Sequence, residues 1–122
     1  MTMWRTAVLS GLTLSLAVPL VSACGSSTPH ASAAATASTC QQVSAVLSDG
    51  PDPDADPVGY AEAQILPLRQ ISAPDQPLHA AITQLADAYQ QFFASDGKSS
   101  NAKEAVLVAG NKLNSICPGA AS

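Results

Sequence analysis

Charge is scarce in this 122-residue chain, where five Lys and Arg stand against nine Asp and Glu. So few cations leave no basic stripe to neutralise phosphates, which excludes nucleic acid as a partner. Histidine is scarcer still. His30 and His79 are the only two, neither sits in an HExxH spacing, and a catalytic zinc site has no ligand set. The glycines never gather into a phosphate-cradling loop: Gly97 and Gly110 stand alone. No serine occupies a G-x-S-x-G elbow with a base beside it. These absences predict a non-enzymatic protein with no catalytic residue, no metal and no cofactor. Beyond residue 23 no apolar run is long enough to span a bilayer, and no segment shows the period-two alternation of a strand. Large side chains are few as well. Alanine supplies 23 positions and buries little area per residue, so the folding unit is small.

What is present begins with an address. Arg5 precedes the uncharged apolar stretch 6–21, the pattern of a signal peptide over 1–23. The stretch contains Pro19 and is shorter than the ~20 residues of a spanning helix. It ends in Val21-Ser22-Ala23-Cys24, followed by Gly25-Ser26-Ser27. These residues resemble the bacterial lipobox, a branched aliphatic three positions before the cysteine with small residues between. The resemblance implies that Cys24 is the lipid attachment point and first mature residue, holding the protein on the extracytoplasmic face of the cell membrane. An ordinary leader cut after Ala23 would leave Cys24 as a free thiol. Removal of 1–23 takes Arg5 and leaves a mildly acidic remainder.

Residues 24–38 read as the lipidated cysteine and a tether. GSSTPHASAAATAS offers no large apolar group to offset the entropy of ordering. A coil of roughly fourteen residues reaches about 20 Å from the headgroups. From Thr39 the spacing becomes helical, giving a domain over 39–118 and a disordered tail over 119–122.

Thr39 is placed to cap a first segment with Cys40, Val43, Val46 and Leu47 on one face, stopped by Gly50-Pro51. Asp56-Pro57 opens a second that carries Tyr60, Ala61, Ile65, Leu66, Leu68 and Ile71, with a kink or break expected just before Pro67. The third is the clearest: an Asp75 cap and Pro77, then Leu78, Ile82, Leu85, Tyr89 and Phe92 at alternating steps of four and three, ended by Ser95-Asp96-Gly97. A fourth opens at Asn101, with Glu104 as capping-box partner, and presents Ala102, Ala105, Val106, Ala109, Leu113 and Ile116 before Pro118-Gly119. The fold class is therefore all-α, a small three- or four-helix bundle.

With Cys24 assigned to the lipid, Cys40 and Cys117 remain. Export places them in an oxidising setting, and a small alanine-rich bundle needs a staple, so the two are expected to pair; two buried free thiols are the other reading. The layout of leader, first-helix cysteine, helical body and last-helix cysteine is similar to small exported helical lipoproteins of actinobacteria, including the haem-binding hemophore-like group. The histidine-proline segment associated with haem there has no counterpart here, so no haem ligand is carried over.

Two features carry candidate chemistry. Asp52-x-Asp54-x-Asp56 repeats the first ligand positions of a calcium loop, but Pro57 stands where glycine is needed and Ala63 where a bidentate glutamate belongs; the segment reads as a solvated connection. Tyr89, Phe92 and Phe93 cluster on the third segment. Core packing accounts for most of them, yet adjacent Phe92 and Phe93 cannot both face one interior, so a groove for a ligand or partner is the sharper reading. The expected function is thus a lipid-anchored binding or interaction module whose partner is an envelope protein or cell-wall component. A carrier for a small apolar ligand, held between a kinked second helix and the third, is the alternative.

Overall fold

The computed structural model describes residues 33–121. The leader, Cys24 and the first part of the tether lie outside the described residues. Four helices follow in order: α1 (Ala33–Leu47), α2 (Pro57–Gln70), α3 (Gln76–Ala94) and α4 (Ser100–Ile116). No strand occurs among the described residues.

Local chemistry sets most of the boundaries. Asp56 accepts a hydrogen bond from the Gly59 amide at 2.9 Å and Asp75 one from the Leu78 amide at 2.9 Å, each satisfying an amide of a first helical turn. Prolines stand in both first turns, where a missing N–H is harmless. The end of α3 is a paired turn. Asp96 and Gly97 donate their amides to the carbonyls of Phe93 and Phe92 at 2.9 and 3.0 Å, both with positive φ (51° and 66°). A Cβ on Gly97 would stand 3.0 Å from Val58 and 3.2 Å from Phe92, so the turn is close-packed as well as left-handed.

Helix α3 is the centre of the bundle. Leu78, Ala81, Ile82, Leu85, Ala86, Ala88 and Tyr89 are all buried, too wide an arc for one neighbour, and α3 packs against both α2 and α4. Its small alanines let both backbones come close. Phe92 lies beside Lys103 and Val106, while Leu85 lies beside Gly110 and Asn111, so α3 and α4 run in opposite directions. Leu68 and Leu113 complete the core from the flanking helices, both with no exposed surface.

Helix α1 packs more lightly, on α2, and is held by specific bonds. The Tyr60 hydroxyl donates to the Leu47 carbonyl at 2.7 Å and Gln64 Nε2 to the Asp49 carbonyl at 2.7 Å, so two α2 side chains satisfy carbonyls at and beyond the end of α1. The Thr36 hydroxyl donates to Asp75 at 3.3 Å. The Cys40–Cys117 disulfide, its Cα atoms 5.3 Å apart, ties α1 to the end of α4.

Five expectations are corrected. Residues 33–38 are helical rather than tether, because the alanines there have the highest helix propensity and need no large side chain; Ala33 and Ala37 also lie beside Ile116 and Pro118. Thr39 is accordingly no cap but a buried mid-helix residue whose hydroxyl donates to the Ala35 carbonyl at 3.1 Å. Helix α4 is capped by Ser99, which accepts from the Ala102 amide at 3.2 Å, two residues before the expected start. Of the kink or break expected before Pro67, the break is absent, since α2 runs through the proline as one helix: only its last turn follows Pro67, and buried Ile65 and Leu68 hold both sides. The tail is ordered too. Residues 118–121 form a turn in which Ala120 is buried and its amide donates to the Cys117 carbonyl at 3.1 Å.

Candidate ligand cleft

An apolar cleft of 330 Å³ opens between the proline-rich connection before α2, the second half of α3 and the first half of α4. Pro53, Pro57, Tyr60, Tyr89, Phe92, Val106 and Leu107 form its walls, and Lys103 is the one charged residue lining it. A second lobe of 290 Å³ shares Pro53, Tyr60, Tyr89, Val106 and Leu107 and continues along α4 to Ser44, Ser48 and Asn111. The two lobes make one trough, apolar at one end and polar at the other. The 330 Å³ of the first lobe falls within the ~300–1,000 Å³ typical of small-molecule sites.

Each wall has a local cause. Tyr89 is carried inward by the helical stripe of α3, and Phe92 follows three residues on. Tyr60 stands one turn into α2, behind the Asp56 cap, with its hydroxyl tied to α1. Tyr60 and Tyr89 meet edge to face, with centroids 5.9 Å apart and planes at 83°, a favoured arrangement of two ring quadrupoles. Prolines at 51, 53 and 57 stiffen the rim. Leu107, 64% exposed, and Val108, 58% exposed, are large apolar residues left in solvent on α4.

Both phenols are held in the neutral form. Burial raises the Tyr89 pKa most, and the neighbouring Tyr60 raises it further by charge repulsion and by accepting its hydrogen bond. Tyr60 is also raised by burial, while its bond with Tyr89 acts the other way. Below pH 10 both folded and unfolded chains keep the Tyr89 proton; above it the unfolded chain loses the proton first, so stability falls as pH rises, by up to ~1.4 kcal/mol per unit for this group. Denaturant midpoints at pH 9 and pH 11 are expected to fall less for Tyr89→Phe than for the wild type, and equal falls would contradict the assignment.

The residues singled out from the sequence are divided by the structure. Tyr89 and Phe92 line the cleft, whereas Phe93 is half-buried against the core and outside the lining. The cleft is not at Pro67: that residue lies beside a separate 130 Å³ cavity with Val46, Asp49, Gly50, Ala63 and Gln64. Buried Gln64 leaves its Oε1 without a partner, and Gly50, at φ 106°, passes so close that a Cβ would stand 3.1 Å from Gln64 Nε2. Tyr60, Val106, Leu107 and the two prolines line the cleft without having been marked as site residues by the sequence. The run Val106-Leu107-Val108 carried the signal, because three successive helical positions span about 200° and cannot all face a core.

Elsewhere the chemistry is spent on structure. Asp49 accepts from the Gly50 amide at 3.0 Å and Asp52 from the Asp54 amide at 2.9 Å, while Asp56 caps α2. No group of three or more His, Cys, Asp or Glu able to hold a metal occurs among the described residues. His79 is exposed on the first turn of α3. Among the described helices none is long and apolar enough to cross a membrane. The chain matches no protein-family model, and searches against curated proteins and solved structures returned no match.

Proposed function

We propose that the protein is a lipid-anchored, non-enzymatic binding module of the cell envelope, and that its site is the trough along α4, taking a small apolar ligand. The observation that carries this reading is the cleft itself: seven apolar or aromatic walls, one lysine, and a volume suited to a small molecule. Tyr60 and Tyr89, its two phenolic walls, are biased to their neutral forms, which suits holding an apolar molecule. The lipobox-like Val21-Ser22-Ala23-Cys24 supports the anchor, since two or more acyl chains hold a protein stably at a bilayer.

The trough moves the emphasis from the protein-partner reading to the carrier reading. A protein interface needs roughly 1,000 Å² of buried surface, and exposed Leu107 and Val108 are a small part of that. An envelope protein that receives the ligand would meet the module at these same residues.

Leu107→Asp tests the reading. Leu107 is mostly exposed, so the change is expected to shift stability by less than about 0.5 kcal/mol, yet it sets a carboxylate in the apolar wall. The full chain purified from membranes and extracted with organic solvent is expected to release an apolar species near one per chain from the wild type and at least about tenfold less from Leu107→Asp. Identical extracts would overturn the proposal.

A further inference from the structure

Resting on the apolar-ligand reading, we infer that the ligand is an amphiphile with a single anionic head, of the fatty-acid carboxylate type, and that Lys103 receives the head. Three observations place the charge. Lys103 lies in the first turn of α4 and is the one charged residue on the cleft wall, among Phe92, Val106 and Leu107. No carboxylate claims its ammonium: Arg69 pairs with Asp87 at 3.1 Å and Lys98 with Asp96 at 2.6 Å, whereas Lys103 stands in no ion pair among the described residues. The acidic connection nearby does not line the cleft. Asp52 and Asp56 are turned to backbone amides, and of that segment only Pro53 and Pro57 reach the wall.

The charge is complementary in place as well as sign. A long apolar body lies against Tyr60, Tyr89 and Phe92 while its head reaches water at the rim, the geometry that a lysine with an apolar stem and a wet ammonium provides. A neutral ligand would gain at most a hydrogen bond from that ammonium, weaker than the charge-assisted bond a carboxylate makes, and a cationic one would meet repulsion.

The full acylated chain, reconstituted in phosphatidylcholine nanodiscs, tests this with three photo-reactive probes of equal length, a diazirine dodecanoate, the matching dodecanol and the matching trimethylammonium compound. Cross-links are mapped to the α3 and α4 peptides by mass spectrometry. The wild type is expected to favour dodecanoate over dodecanol by about three- to fivefold relative to Lys103→Gln, with dodecanol labelling unchanged between the two; comparing the variants cancels the probes' different partition into lipid. Equal preference in both proteins would overturn the role of Lys103 and leave the apolar cleft standing, as would a stronger labelling by the matching trimethylammonium probe. Labelling of the cleft by no probe in either protein would overturn the apolar-ligand reading, and this inference with it.

Discussion

Opening the disulfide is expected to remove most of the stability of the bundle. Cys40 and Cys117 are 77 positions apart, and a closure of that length restrains the unfolded chain by about 4.5 kcal/mol on the chain-entropy account. A domain of this size has only about 5–10 kcal/mol in all. The loss falls unevenly. Helices α2, α3 and α4 keep their shared core, but α1 contributes only Val43 and Thr39 as buried side chains, with Val46 and Leu47 partly buried against the core, and is further held by the Tyr60, Gln64 and Thr36 hydrogen bonds. Reduction, or Cys40→Ser with Cys117→Ser, is therefore expected to release α1 first. Hydrogen exchange should show protection lost over 33–47 before the rest of the bundle, and a change spread evenly over all four helices would contradict the light packing of α1.

Leu113→Ala is expected to cost about 3 kcal/mol. Its side chain has no exposed surface, belongs to the buried core on α4, and lines none of the cavities, so the neighbours have no ready space into which to relax. Deleting its methyl groups removes buried apolar surface and leaves a cavity, which together reach 2–5 kcal/mol in well-packed cores. Six positions earlier on the same helix, Leu107 is 64% exposed. The contrast separates what holds the fold from what serves the cleft: urea melts should shift strongly for Leu113→Ala and hardly for Leu107→Asp. Comparable shifts would mean that the exposed face of α4 is structural.

Much of this architecture is legible in the sequence because local chemistry and the global fold agree at the caps. Asp56 and Asp75, each with a proline close behind, announce α2 and α3 by the rule that short acceptors satisfy the first amides. The alternating four-three stripe from Leu78 to Phe92 then identifies the central helix. What failed to read correctly failed for physical reasons. Residues 33–38 lack large apolar groups, and a search for apolar spacing cannot see a helix built from alanine propensity and docked by the Thr36–Asp75 bond. Pro67 reads as a helix breaker in isolation, yet buried neighbours on both sides keep the last turn helical. The cleft was half legible. Tyr89, Phe92 and Phe93 stood out as an aromatic cluster, of which Phe93 falls outside the lining, whereas Tyr60 and Leu107 join the other two only through the packing of α2 and α4 on α3, a tertiary relation that periodicity does not encode.

Native mass spectrometry of the protein released from its own membranes, followed by denatured spectra with and without reductant, tests the central claim most directly. The expected result is a chain beginning at acylated Cys24 that gains two hydrogens on reduction and carries, in the native spectrum, one additional noncovalent mass of a small amphiphile that the Leu107→Asp protein lacks. An unmodified Cys24 would contradict the anchor, and a wild-type chain with no bound mass would contradict the carrier.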